Sequence, residues 1–168
     1  GSRGLYQQEE IKILTTFIKA VTDFEDSRDL YYLALSPVYR AIPYDMTRIA
    51  GYAQKKNLSL HSVFKSMAAG ESPVEVAPET GRLIQKIFED LLFFVDLAGR
   101  KNAGTVVYGF IEKSGYLKSL VETLSLESEV KIKNIRLFFD KIKAFSSLTD
   151  NDSLHSFARY LELLQEVG

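Results

Sequence analysis

PETGRLIQKIFEDLLFFVDL, residues 78–97, decides the fold. Leu83, Ile84, Ile87, Phe88, Leu91, Leu92, Phe94 and Val95 recur at spacings of three and four, the period of an α-helix. The pattern predicts a helix over 78–97 with more than half its circumference apolar, and a helix so widely apolar belongs at the centre of a domain. The two prolines within residues 71–78 make the preceding stretch a loop.

Helical periodicity continues on both sides. Upstream, a helix is expected from Gln8 to Thr22 on Ile11, Leu14, Phe17, Ile18 and Val21, with Glu9 and Glu10 in its first turn, where the dipole favours acids. Asp23 to Asp26 breaks it. A shorter helix capped by Asp26 or Ser27 carries Leu30, Tyr31, Leu33 and Ala34 and must end before Pro37, because the residue ahead of a proline avoids the α conformation. Pro43 opens a helix reaching to about Asn57 on Met46, Ile49, Ala50 and Ala53. Ser59 caps another, on Leu60, Val63, Phe64 and Met67, which Gly70 ends.

Downstream, residues 99–104 form a break. Thr105–Lys113 has strand propensity at Thr-Val-Val-Tyr but keeps helical spacing at Val106, Phe110 and Ile111, and reads as a helix ended by Gly115. A short helix follows over Tyr116–Thr123. A long one runs over Leu126–Phe145 on Val130, Ile135, Phe138, Phe139, Ile142 and Phe145, and a last one from Asp152 or Ser153 to Val167 on Leu154, Phe157, Leu161 and Leu164. No stretch shows four or more clean apolar/polar alternations. The expectation is an all-α fold: a single compact domain of about eight or nine helices.

The chain has 168 residues, 46% hydrophobic and 26% charged, enough to build a packed core without metal or disulfide. With no cysteine there is no thiol nucleophile and no cysteine-ligated metal, and nothing argues for an oxidising compartment, so a cytoplasmic location is expected. No apolar run approaches the roughly 20 residues of a membrane span. Gly1-Ser2 reads as the scar of a removed tag; residues 1–3 are set aside as scar and linker, and 4–168 as one domain excised from a longer protein.

The net charge of −1 makes the whole chain no electrostatic trap for nucleic acid, but its distribution is uneven. Residues 40–65 carry Arg40, Arg48, Lys55, Lys56 and Lys65 against the single acid Asp45, and residues 66–98 carry two cations against six acids. Tyr39, Tyr44 and Tyr52 fall in the basic stretch, where aromatic and guanidinium groups together can stack on bases or pair with phosphates. Otherwise these tyrosines cap the core with their hydroxyls in water.

Other chemistry finds little support. Gly99 and Gly104 have the glycine spacing of a phosphate-binding loop, but Thr105 stands where that loop needs lysine. His61 and His155 lie on different helices and flank apolar stripes, which leaves no metal cluster and no imidazole base. Glu9-Glu10 and Glu89-Asp90 fit solvated faces and helix starts. Phe17, Phe88, Phe93, Phe94, Phe138, Phe139 and Phe145 recur at helical spacing and read as core.

Several strings in order carry a resemblance. Gly4-Leu5-Tyr6-Gln7-Gln8-Glu9-Glu10-Ile11-Lys12, the Glu25-Asp26-Ser27 turn before Leu30, Leu35-Ser36-Pro37-Val38-Tyr39-Arg40, and Lys133-Asn134-Ile135 ahead of a final amphipathic helix are similar to the accessory 2B domain of UvrD/Rep-type superfamily 1 DNA helicases. The resemblance implies a domain inserted in the second motor domain of an ATP-driven helicase, acting in DNA repair or related processing. It would touch duplex DNA weakly and without sequence preference, move on the motor, and receive partner proteins. ATP and magnesium would belong to the parent motor; this fragment would hold no cofactor, catalytic residue or metal and would not be an enzyme. The family's duplex-contacting turn reads Arg-Gly-Ile-Gly and here reads Arg40-Ala41-Ile42-Pro43. Ala41 lacks glycine's freedom at positive φ and Pro43 has no N–H, so the side chains are left to make the contact. The expected DNA-binding set is Arg40, Ile42, Tyr44, Arg48, Lys55 and Lys56. The Ser-Pro-Val-Tyr string also resembles the equivalent domain of recombination helicase–nuclease subunits. The alternatives are an all-α protein-interaction module and a small enzyme using a buried carboxylate.

Overall fold

The computed structural model describes residues 2–23 and 25–167. Ten helical segments are present among them: α1 (Ser2–Leu5), α2 (Glu9–Thr22), α3 (Ser27–Leu35), α4 (Pro43–Lys55), α5 (Leu60–Ala68), α6 (Pro78–Ala98), α7 (Ala103–Lys113), α8 (Tyr116–Glu122), α9 (Leu126–Leu148) and α10 (Leu154–Val167). No strand occurs among the described residues, so the fold is all-α; Asn102 and Ser153 make an isolated antiparallel bridge. The one-turn α1 is an addition to the expected set. Gly1, set aside in the sequence, and Phe24, in the expected break after α2, lie outside the described residues, as does Gly168.

Local chemistry accounts for the helix ends. Asp26 accepts from the Arg28 amide, Ser59 from the Ser62 amide, Asn102 from the Thr105 amide and Ser125 from the Ser128 amide, each relieving an N-terminal N–H that has no helical partner. Asn102 closes the matter of the Gly99–Gly104 spacing: the segment is a capped helix start. Gly70 (φ +95°) and Gly115 (φ +83°) take the left-handed conformation that stops α5 and α7.

The helices gather into two compact units. One runs from residue 19 to residue 95; the other joins the chain up to Ile18 with Asp96 onward. In the discontinuous unit Phe17 stacks on Phe110 at 4.0 Å between ring centroids, and Phe157 meets Phe138 edge-on at 5.9 Å and Phe145 at 5.4 Å. Ile11, Leu14, Val106, Ile135, Ile142, Leu154 and Leu161 complete its core. Burying side chains of this size contributes roughly 1.5–3 kcal/mol each. In the continuous unit Leu30, Leu33, Met46, Ile49, Leu60, Val63, Phe64, Ile84, Ile87, Leu91 and Phe94 are buried. The Leu60 amide donates to Ser27 Oγ at 2.9 Å, tying α5 to α3.

Some expected core positions are exposed. Phe93 is 46% exposed, and Leu92, Val95 and Val130 are also on the surface. At 100° per residue Phe93 points half a turn away from Ile84, so the buried stripe of α6 is narrower than its count of apolar residues implies. Val130 is turned away from the Ile135–Ile142 stripe of α9 for the same reason. Two acids assigned to solvated faces are buried instead: Glu10 is 3% exposed and Asp90 is 4% exposed. Asn134 Nδ2 donates to Glu10 Oε2 at 2.7 Å, joining α9 to α2. A buried carboxylate that accepts such a bond is stabilised well beyond a neutral pair.

Candidate nucleic-acid interface

The basic stretch falls wholly in the continuous unit: Arg40 on the turn after α3, Arg48 and Lys55 on α4 with Lys56 at its C-cap, and Lys65 on α5. Ser36 closes α3: its amide and its hydroxyl both donate to the Leu33 carbonyl, and its Oγ accepts from the Val38 amide. The next turn is closed by the Arg40 amide donating to the Ser36 carbonyl at 2.8 Å, and by the Ala41 amide donating to the Ala34 carbonyl at 2.9 Å. Arg40 is left-handed, with φ +54°. For a residue bearing a Cβ this costs roughly 1–2 kcal/mol. The positive φ thus falls on the arginine, one position before Ala41. Ala41 is buried, and Pro43 is the first residue of α4.

Along α4, Tyr44, Arg48 and Lys55 are four and seven residues apart and share one face, and all three are exposed. The stripe is about 16 Å long at 1.5 Å per residue, a length over which a duplex carries about ten phosphates. The Arg48 guanidinium lies 5.9 Å from the centre of the Tyr44 ring, and its Nη1 donates to the Glu75 carbonyl. Gly51, in the same stripe, is exposed and has open space where a Cβ would stand. Among the described residues no carboxylate forms an ion pair with Arg40, Arg48, Lys55 or Lys56.

The other named residues divide. Lys56, the C-cap of α4, is exposed beside Lys55, whereas Ile42 is half-buried as the N-cap of α4 and has no side-chain cap bond. Of the three tyrosines only Tyr44 is exposed, at 71%; Tyr52 is half-buried and Tyr39 is buried. Tyr39 OH donates to Asp90 Oδ2 at 2.7 Å, and Lys86 Nζ donates to the same oxygen at 3.2 Å. Burial, then the adjacent Asp90 charge, pushes the phenol far above its usual range.

Sequence reasoning missed one anchor of this face. Asp45, the acid of the basic stretch, is buried, and its Oδ2 accepts from the Ala77 amide and the Thr80 hydroxyl at the start of α6. A carboxylate lent by α4 thus does for α6 what a third-position glutamate does in a capping box. The buried acids Glu10, Asp45 and Asp90 are each engaged in such structural bonds. His61 is half-buried against Phe88 and His155 is exposed.

No protein-family model matches the chain. Over 172 aligned positions it is 22% identical to the ATP-dependent DNA helicase PcrA of Staphylococcus aureus, a match covering 99% of this chain and 23% of the helicase. The PcrA of Staphylococcus epidermidis matches with the same identity and coverage. The chain is therefore similar from end to end to a part of a DNA helicase, and spans less than a quarter of the length of these relatives.

Proposed function

We propose that the chain is an accessory, 2B-like domain of a UvrD/Rep-type DNA helicase, touching duplex DNA and regulating unwinding by moving on the motor domains. The end-to-end similarity to a PcrA segment supports the helicase parent, whose motor would supply ATP, magnesium and turnover. The observation that carries the DNA contact is the stripe of α4 that exposes Arg48 and Lys55 on the face of Tyr44, with Arg40 exposed on the preceding turn and Lys56 at the C-cap, none of them in an ion pair among the described residues. Cations so placed bind phosphate by releasing counterions, without reading sequence. Ile42 contributes by starting α4 rather than by reaching out. No helix among the described residues is long and apolar enough to cross a membrane.

The test is binding of fluorescein-labelled 20-base-pair duplexes of unrelated sequence. The expected result is equal, weak affinity, on the order of 10⁻⁴–10⁻⁶ M at physiological salt, with no ATP hydrolysis by the chain. Strong preference for one sequence, or DNA-stimulated ATPase that persists through purification, would refute the reading. A protein-interaction module is the second reading, favoured by Leu124, 95% exposed in the turn between α8 and α9, and by exposed Leu126 at the start of α9.

A further inference from the structure

Two non-glycine residues with positive φ are found among the described residues, Arg40 at +54° and Asn57 at +55°. Asn57 is where asparagine is at home: it follows the C-cap of α4, and the next amide, Leu58, returns to the Ala53 carbonyl at 2.8 Å. Arg40 has no such local preference. Its side chain is exposed, so packing does not ask for arginine, and glycine would take the backbone conformation without strain. A cationic side chain kept on a strained backbone at the surface points to a use for the side chain.

The surroundings of Arg40 over-determine its conformation from both sides. On one side the Ala41 amide is bound to the Ala34 carbonyl in α3. On the other, Tyr39 is buried and its hydroxyl is bound to Asp90 in the middle of α6, a contact spanning 51 positions of sequence. Lys86 braces the same carboxylate oxygen, and its ammonium stands 5.4 Å from the centre of the Tyr39 ring. The Arg40 guanidinium is in turn restrained by Nε donating to the Pro37 carbonyl at 3.2 Å. For packing alone phenylalanine would serve at position 39; the hydroxyl adds a directional tie between the turn and a 21-residue helix.

We propose that Tyr39, through its bond to Asp90, is a positioning residue that holds Arg40 in its left-handed conformation and aims its guanidinium at a duplex phosphate. The inference rests on the duplex-contact reading above. Because burial and the Asp90 charge keep the phenol protonated, the bond persists across the working pH range.

The experiment compares the 168-residue chain with Tyr39→Phe, Arg40→Ala and the double variant, by fluorescence anisotropy on a 20-base-pair duplex between 50 and 200 mM KCl. Arg40→Ala should lower the slope of log K against log salt by about one and weaken binding about eightfold at 0.1 M salt. Tyr39→Phe should lower the slope by about half a unit or more, and should add nothing in the Arg40→Ala background. Asp90→Asn, which leaves the phenol an acceptor, should retain most of what Tyr39→Phe loses. A wild-type slope in Tyr39→Phe beside a lowered one in Arg40→Ala overturns the positioning role and leaves the duplex contact standing. Equal losses from Tyr39→Phe in both backgrounds show that the effect does not run through Arg40 and also overturn it. Absence of salt-dependent binding by the wild type overturns both.

Discussion

Replacing Asp45 by alanine should unfold this protein more readily than any surface substitution in the basic stretch. The carboxylate is 5% exposed and accepts from the Ala77 amide and the Thr80 hydroxyl, and Thr80 is itself buried. Asp45→Ala therefore strands an amide at the start of α6 and a buried hydroxyl at once. A hydrogen bond to a charged group contributes about 1.5–3 kcal/mol, and the two bonds share one oxygen, so their losses should not simply add. The expected loss is roughly 2–4 kcal/mol, a large part of the 5–15 kcal/mol typical of a domain. At about 2–4 °C per kcal/mol for a chain of this size, the midpoint should fall by roughly 4–16 °C. Asp45→Asn keeps an acceptor but not the charge and should lose about half as much. The assay is thermal and urea unfolding followed by far-UV circular dichroism at pH 7, at 0.1 and 1 M salt. Because the group is buried, the loss should be nearly the same at both salt concentrations. A loss in Asp45→Ala below about 0.5 kcal/mol, the usual range of surface changes, would refute the cap.

Two further predictions concern the other buried polar contacts. Asn134→Ala leaves the buried Glu10 carboxylate without that donor and should cost roughly 1.5–3 kcal/mol in urea unfolding; Asn134→Asp, which sets a second acid against it, should cost more at pH 7 than at pH 4. Burial lowers the His61 pKa from its usual value, with Lys65 acting in the same direction and Glu25 against it. The folded state therefore takes up the His61 proton less readily than the unfolded chain, and stability should fall as pH drops below about 6.5, a fall that His61→Gln should reduce in pH-dependent melts.

The helices are legible in the sequence because amphipathic periodicity and caps are local. Pro43, Ser59, Gly70 and Gly115 each do at their helix end what the residue type implies, and counting charges along the chain is enough to find the basic stretch of which α4 carries Arg48 and Lys55. What stays hidden depends on partners distant in sequence. Nothing near Asp90 or Glu10 marks them as buried; one is bound by Tyr39 and the other by Asn134, 51 and 124 positions away. Tyr39 reads as a surface aromatic for the same reason. Asp45 reads as a lone acid among cations, yet it serves a helix that begins more than thirty positions later. The left-handed conformation of Arg40 is hidden in the same way, since the Ala41 amide that follows it is bound to the Ala34 carbonyl of α3.

The most direct measurement of the duplex contact is the salt dependence of binding in a variant that removes Arg40, Arg48 and Lys55 together. If these three side chains meet phosphates, the slope of log K against log salt should be shallower than that of the wild type by about three, while Lys101→Ala with Lys131→Ala should leave it unchanged. A triple variant with the wild-type slope, or a slope altered by the Lys101 and Lys131 changes instead, would contradict the account, and the stripe on α4 would be a solvated face.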